Sequence, residues 1–346
     1  GWVQAVKPLR ERPQSVGIIG AGPGGLAAAE QLRRRGYQVH VYDRYDRVGG
    51  LMIYGIPNFK LEKEVVERRA DLLQRSGVTF DLNCDIGTAE SFDALRAKHD
   101  AVLIATGVYK ARDIKVPGVG LKNIFPAMDF LTASNRKGLG DAVPEFDDGT
   151  LNAKDKAVVV IGGGDTGMDC VRTAVRQGAR SVKCLYRRAR ANMPGSQREV
   201  ENAEEEGVEF LWLSAPEAFL GDGVVSAVRA QRVHLGMPDA TGRQTPQVIE
   251  GSSFTVEADI VIKALGFDPE DLPKLFDTEG LDVTRWGTLL TDFKTKMTTL
   301  DGVFAAGDIV RGASLVVWAV RDGRDAADQM HNYIQAKAAA DVAAAE

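Results

Sequence analysis

Apolar runs alternate with charged and glycine-rich segments along the chain, and their pattern predicts strands and helices. Residues 101–107, 259–266 and 302–308 form apolar runs that end at Gly or Gly-Asp, which indicates strands buried on both faces of a sheet. Residues 37–43 alternate apolar and polar side chains, as a strand does, whereas residues 61–76 are charged and amphipathic and predict a covering helix. This pattern predicts an α/β fold.

Two glycine-rich loops each stand between an apolar run and a helix-like segment. In that context the first glycine permits a tight turn, the second lets backbone approach a pyrophosphate, and the third lets the helix pack on the strand. The free N–H groups at the helix N-terminus then bind the anion. We therefore predict two dinucleotide sites, the first at Gly20, Gly22, Pro23, Gly24 and Gly25, and the second at Gly162, Gly164, Asp165, Thr166 and Gly167.

The two sites differ in the residues at the end of the strand that follows each glycine loop and its helix. Asp43 ends the first such strand about 20 residues beyond its glycines, where a carboxylate accepts from a ribose hydroxyl, which favours FAD or NAD. Arg187 and Arg188 end the second, where two guanidiniums chelate a 2'-phosphate, which favours NADPH. The alternatives are a solvated strand-end acid and a solvated arginine pair.

Further segments are predicted to complete the two sites. Backbone after Asp43 and after the buried strands runs close to FAD, and a helix start at residues 312–319 faces negative charge on a reduced flavin. The alternative for Asp308 is a turn residue before a packed helix. These FAD residues are Gly50, Leu51, Ala105, Thr106, Gly107, Gly307, Asp308, Ser314, Leu315 and Val316, and the matching NADPH residues are Leu265 and Gly266.

Composition narrows the class of protein. A chain of 346 residues suggests about two domains, and 44% hydrophobic with 26% charged residues is typical of a soluble globular protein. The net charge of -5 gives no reason to expect nucleic acid, and no apolar run approaches the length of a membrane span. Three cysteines without a C-x-x-C and four histidines without metal spacing predict no redox disulfide and no metal site; Cys170 and Cys184 read as core residues. The start lacks Met and a signal-peptide pattern and reads as a processed or trimmed end.

The order of these segments predicts a discontinuous architecture. Because FAD-like segments lie on both sides of the second glycine loop, we expect two Rossmann-like dinucleotide-binding domains, with the NADPH domain inserted into the FAD domain. The predicted boundaries are residues 1–117 and 269–346 for the FAD domain and 118–268 for the NADPH domain. Residues 134–153, polar and rich in glycine, are predicted to form a surface loop.

The motifs together resemble one family over essentially the whole chain. Residues 20–25, 48–60, 105–107, 162–169, 186–188 and 305–327 are similar to the small (beta) subunit of bacterial NADPH-dependent glutamate synthase and, more distantly, to adrenodoxin reductase and dihydropyrimidine dehydrogenase. The resemblance implies that Glu199 lies near the nicotinamide-side ribose, that Ile86 lies against the adenine, and that residues 192–199 close over NADPH. Two departures stand out. The family carries an N-terminal cysteine-rich domain with two [4Fe-4S] clusters, so this chain is expected to be a fragment or a short form; and Gly167 stands where many NADP-binding relatives carry Ala.

The resemblance also implies a function. A hydride passes from NADPH to FAD, with no protein acid, base or nucleophile, and electrons continue to iron–sulfur clusters and FMN on a cytoplasmic large-subunit partner that makes glutamate from glutamine and 2-oxoglutarate. Two alternatives remain: a free-standing NADPH:ferredoxin-type oxidoreductase, and a module that holds FAD without turnover. A cysteine-rich upstream segment or a large-subunit partner would distinguish the glutamate synthase function from the free-standing oxidoreductase. NADPH-dependent dye reduction would exclude the module that holds FAD without turnover.

Overall fold

The computed structural model describes residues 3–239, 242 and 244–345, so Gly1 and Trp2 lie outside the described residues. Contacts divide the chain into two compact units. Unit 1 comprises residues 1–53, 61–110 and 267–346, and unit 2 comprises residues 54–60 and 111–266. Among the described residues, no helix combines the length and the apolar character needed to cross a membrane.

The regular elements follow one another in three stretches of chain. The first stretch contains β1 (Ser15–Ile19), α1 (Pro23–Arg34), β2 (Gln38–Asp43), α2 (Leu51–Tyr54), α3 (Lys63–Arg75), β3 (Val78–Leu82), α4 (Phe92–Lys98), β4 (Ala101–Ile104) and β5 (Lys110–Ala111). The second contains β6 (Ile124–Pro126), α5 (Ala127–Gly138), α6 (Pro144–Asp147), β7 (Ala157–Ile161), α7 (Asp165–Arg176), β8 (Ser181–Leu185), α8 (Gln197–Glu205), β9 (Glu209–Leu211), β10 (Ser214–Asp222), β11 (Val224–Pro238), β12 (Gln244–Val248), β13 (Phe254–Glu257) and β14 (Ile260–Lys263). The third contains β15 (Phe267–Asp268), α9 (Leu272–Leu275), β16 (Val303–Ala305), α10 (Asp308–Arg311) and α11 (Val316–Ala345).

Unit 1 is built on a five-stranded parallel sheet in the order β16-β4-β1-β2-β3. Side chains of α1 and α11 form one core with the strands, including Leu32 and Met330. A second core contains Phe92 from α4 and Phe276, whose rings stack at 4.7 Å. Since both faces are covered, β4 and β16 are apolar and buried along their whole length, which is why they appear in the sequence as continuous apolar runs.

Unit 2 contains a second five-stranded parallel sheet, in the order β6-β14-β7-β8-β9. Helices α5, α7 and α8 cover one face, and Cys170 and Cys184 lie fully buried in that core, as predicted. The antiparallel strands β10, β11 and β13 supply the core on the other face. The predicted α/β class with two parallel-sheet units is confirmed.

The structure differs from the sequence prediction in two segments. Residues 134–153 were expected to form a loop, but α5 continues to Gly138 and α6 occupies Pro144–Asp147, because Phe130, Leu131 and Ala133 bury an apolar face of α5. The helix expected from residue 312 begins at Val316, since Gly312 has φ +82°. The unit limits at residues 110/111 and 266/267 compare with the expected 117/118 and 268/269, and residues 54–60 lie in unit 2.

Candidate functional site

A cavity in unit 1 lies where the parallel strands end. Counted together with the open solvent at its mouth, its volume is about 950 Å³. Backbone that follows β1, β2, β4 and β16 contributes to its walls. Ligand sites of open α/β sheets lie at this carboxyl edge. The predicted FAD residues that line it are Gly20, Gly22, Pro23, Gly24, Asp43, Leu51, Ile86, Ala105, Thr106, Gly107, Gly307, Asp308, Ser314, Leu315 and Val316.

Gly25 and Gly50 are the predicted FAD residues that lie outside this lining. A Cβ on Gly50 would lie 2.9 Å from the Cα of Gly22. The backbone of Gly50 therefore packs against the glycine loop, and a side chain at this position would push against the loop.

The first glycine loop has the geometry that the sequence predicts. Gly20 has φ +109°, and a Cβ on Gly25 would lie 1.9 Å from the carbonyl oxygen of Gly20, so α1 packs directly on the turn. Gly22 is the N-cap of α1, without a side-chain cap, and a Cβ there would meet nothing within 4 Å. The N-terminus of α1 therefore faces open space, where an anion can approach its N–H groups.

Asp43 is held rigidly at the end of β2. Its side chain accepts from the backbone N–H of Ala21 at 2.6 Å and of Tyr45 at 2.9 Å, and the residue is 7% exposed. Burial raises the pKa of Asp43, against the lowering effect of the two backbone donors. Each carboxylate oxygen keeps a further lone pair, so the group can accept from ribose hydroxyls.

Two polar side chains, which follow β4 and β16, also line the cavity. The buried hydroxyl of Thr106 has no hydrogen-bond partner among the described residues. Asp308 accepts from the Ser314 hydroxyl at 3.1 Å, and burial raises its pKa. Because buried polar atoms are normally paired, the cavity's residues fit a ligand with polar groups along its length, as FAD has.

The second glycine loop repeats the first in unit 2. Gly162 has φ +132°, and Gly164 is the N-cap of α7. A Cβ on Gly167 would lie 2.6 Å from the Gly162 carbonyl oxygen, so α7 packs closely on the turn. Asp165 and Thr166 form the first turn of α7, and Asp165 accepts from the backbone N–H of Ser196 at 3.1 Å.

Arg187 and Arg188 follow β8 after one intervening residue, Tyr186. Arg187 is exposed and Arg188 is half-buried. The buried Nε of Arg188 has no hydrogen-bond partner among the described residues. Leu265 and Gly266 follow β14, which pairs with β7, the strand before the glycine loop. The arrangement leaves guanidinium groups available for an anion at the same edge of the sheet.

Glu199 lies within a network of ion pairs in unit 2. It contacts Arg172 at 2.7 Å and Lys60 at 3.3 Å, while Lys60 also contacts Asp169 at 2.8 Å. Burial acts to raise the pKa of Glu199, but the hydrogen bond from Arg172 and the charge of Lys60 outweigh it and leave the pKa lowered. Contact of Glu199 with a ribose stays a prediction.

The unit 1 cavity also contains residues that the sequence analysis missed. Arg44 and Tyr45 directly follow Asp43, and Val108 and Tyr109 directly follow Gly107, so neighbourhood in the chain was a usable signal. Phe276 lines the cavity from a distant segment and has no local signal.

Comparison with known proteins places these sites in context. The model of the family described as "Pyridine nucleotide-disulphide oxidoreductase" matches residues 14–323. The glutamate synthase [NADPH] small chain of Azospirillum brasilense is 69% identical over 345 residues, which cover 100% of this chain and 72% of that protein. The putative glutamate synthase [NADPH] small chain of Cereibacter sphaeroides is 65% identical, over 96% of this chain and 80% of that protein.

A solved structure agrees at the level of the fold. FprA from Mycobacterium tuberculosis in complex with NADPH superposes with a TM-score of 0.77 at 19% identity, covering 95% of this chain and 86% of that chain. At this identity the likeness concerns architecture alone.

Proposed function

Because the chain belongs to the pyridine nucleotide-disulphide oxidoreductase family and to the glutamate synthase [NADPH] small chains, we propose that it is an NADPH-oxidising flavoprotein module. Unit 1 binds FAD and unit 2 binds NADPH. The observation that carries this proposal is that one chain contains two glycine loops with different residues at or just after the end of the following strand. That residue is Asp43 in unit 1, whereas Arg187 and Arg188 stand at the matching place in unit 2. A carboxylate suits a free ribose hydroxyl and repels a phosphate, whereas two guanidiniums attract one.

The residues of unit 1 bind and orient the flavin cofactor. The N-terminus of α1 receives the pyrophosphate, and Asp43, fixed by two backbone donors, accepts from the ribose. Thr106 supplies a buried hydroxyl that gains a partner when the ligand is present. When bound, FAD supplies the redox chemistry, accepting a hydride and releasing electrons to an acceptor.

The residues of unit 2 select and hold the reductant. The N-terminus of α7 receives the pyrophosphate, and Arg187 and Arg188 bind the 2'-phosphate that distinguishes NADPH from NADH. Leu265 and Gly266 border the same site, and Glu199 contacts the nicotinamide-side ribose. No acid or base in the chain is required, since a hydride carries its proton and electron pair together.

The proposal extends to the partner. The named relatives are small chains of glutamate synthase. We infer that this chain works with a large subunit carrying FMN and iron–sulfur clusters, where glutamine and 2-oxoglutarate become glutamate, and that an iron–sulfur domain or protein receives its electrons. The compartment that we propose is the cytoplasm.

The test is a purification followed by anaerobic spectroscopy. We expect a yellow protein that releases FAD on denaturation, and whose flavin absorbance bleaches with NADPH much more readily than with NADH. Copurification of a large subunit would support the glutamate synthase assignment, and a ferredoxin that accepts electrons without such a subunit would favour the free-standing oxidoreductase. A colourless protein that takes up no FAD would refute the proposal.

A further inference from the structure

Arg44 lines the cavity of unit 1 directly after Asp43, and three of its nitrogen atoms are engaged by carboxylates. Its Nη1 and Nη2 donate to the two carboxylate oxygens of Glu270 at 2.9 Å each. Its Nε lies 3.5 Å from Asp85. The Arg44 side chain is 28% exposed and that of Glu270 is 24% exposed, so the pair is largely shielded from water. Such a bidentate contact fixes the plane of a guanidinium.

The charge of this group argues against a phosphate ligand. One guanidinium beside two carboxylates leaves a local charge of about -1, which repels a pyrophosphate. Most of the hydrogen-bonding edge of Arg44 is already occupied. With its edge engaged, Arg44 retains the flat cationic face of its guanidinium, and arginine stacks readily on aromatic rings through that face.

The surroundings of Arg44 suit a neutral aromatic base. Ile86 and Phe276 line the same cavity and are 5% and 6% exposed. Arg44 follows β2 and Asp85 follows β3, whereas Thr106 and Asp308 follow β4 and β16 at the opposite side of the sheet order. A dinucleotide with its pyrophosphate at α1 and one ribose at Asp43 therefore places its adenine beside Arg44.

We propose that Arg44 binds the adenine of FAD by stacking, and that Glu270 is a positioning residue that holds the guanidinium plane. This inference rests on the proposed function, namely that unit 1 binds FAD. Glu270 is 226 residues from Arg44 along the chain. The contact thus makes cofactor affinity depend on a segment remote in sequence from the glycine loop.

The test is the rate at which the purified holoenzyme releases FAD, followed by flavin fluorescence after dilution. Arg44→Leu keeps the apolar stem and Arg44→Lys keeps the charge, but both remove the plane, so each should release FAD about tenfold faster, or about 1.4 kcal/mol. Glu270→Gln should accelerate release about threefold to tenfold. The double variant Arg44→Leu with Glu270→Gln should release FAD no faster than Arg44→Leu alone, because Glu270 acts through Arg44.

Two controls separate this role from a general structural one. Asp328→Asn removes the ion pair with Arg35, 2.7 Å long and also in unit 1, and should leave FAD release unchanged. With FAD in excess, all variants should reach the kcat of the parent protein in ferricyanide reduction, while the FAD concentration for half-activation rises.

Three outcomes would overturn the inference. Unchanged release in both Arg44 variants would remove the stacking role, and multiplied effects in the double variant would show that Glu270 acts independently. A lowered kcat at saturating FAD would assign the pair to structure. A parent protein that binds no FAD would instead refute the proposed function.

Discussion

The preference for NADPH should depend on Arg187 and Arg188, and their replacement is the sharpest test of unit 2. Each guanidinium is expected to donate charge-assisted hydrogen bonds to the 2'-phosphate, worth about 1.5 to 3 kcal/mol each. Arg187 is exposed, so solvent screening places it at the lower end, about 1.5 kcal/mol or roughly tenfold in affinity. Arg188 is half-buried with an unpartnered Nε, which places it near the upper end, about 100-fold.

These magnitudes give a ranked expectation for NADP⁺ binding. Arg188→Ala should weaken it more than Arg187→Ala, and the double variant should lose about 1,000-fold if the two contributions add. Binding of NAD⁺ should change little, because it has no 2'-phosphate. The assay is titration of the oxidised flavoprotein with each nucleotide, followed by the perturbation of flavin absorbance, together with KM for NADPH and NADH in ferricyanide reduction.

A nearby arginine provides the matched control. Arg190 lies two residues beyond Arg188, and its guanidinium is 3.1 Å from Glu204. Arg190→Ala should therefore leave the NADP⁺ affinity within about twofold of the parent protein. The reasoning is refuted if the double variant loses NADP⁺ and NAD⁺ equally, or if Arg190→Ala costs as much as Arg188→Ala.

Three further predictions follow from the structure. Gly25→Ala should lower FAD content and thermal stability, because its Cβ would lie 1.9 Å from the Gly20 carbonyl oxygen. Gly138→Ala, whose Cβ would meet nothing within 4 Å, should change neither, and equal behaviour of the two variants would contradict the packing argument. The chain of 346 residues, with three cysteines, cannot supply the four cysteine ligands of an iron–sulfur cluster, so with NADPH it should reduce ferricyanide without forming glutamate. Glutamate formation with a cluster-free large subunit would show that electron transfer through iron–sulfur clusters is unnecessary. Burial lowers the pKa of His99 from 6.5 to about 4, so folding favours its neutral form and the protein should lose stability as the pH falls from 6.5 towards 4. The melting temperature should fall less over that pH range in His99→Asn than in the parent protein, and parallel curves of melting temperature against pH would exclude this linkage.

The sequence by itself determined the two glycine loops and the strands before them. A turn with positive φ, a helix N-terminus and a strand buried on both faces each depend on residues that are contiguous in the chain. Gly20, Gly162 and Asp43 could therefore be assigned from local pattern alone, and two of them, Gly20 and Asp43, line the cavity of unit 1. The position of Arg187 and Arg188 after the second strand of the NADPH site is likewise visible in the sequence, although their role remains a prediction.

Only the tertiary structure decided which distant segments meet. Residues 54–60 lie in unit 2 although their neighbours on both sides belong to unit 1, because Lys60 contacts Asp169 and Glu199. The bidentate contact between Arg44 and Glu270 joins side chains 226 residues apart. Phe276 likewise enters the cavity wall from a segment far along the chain from the glycine loop. Local periodicity contains no information about such pairings, since they are fixed by how the strands and helices pack and by which charged groups that packing removes from water.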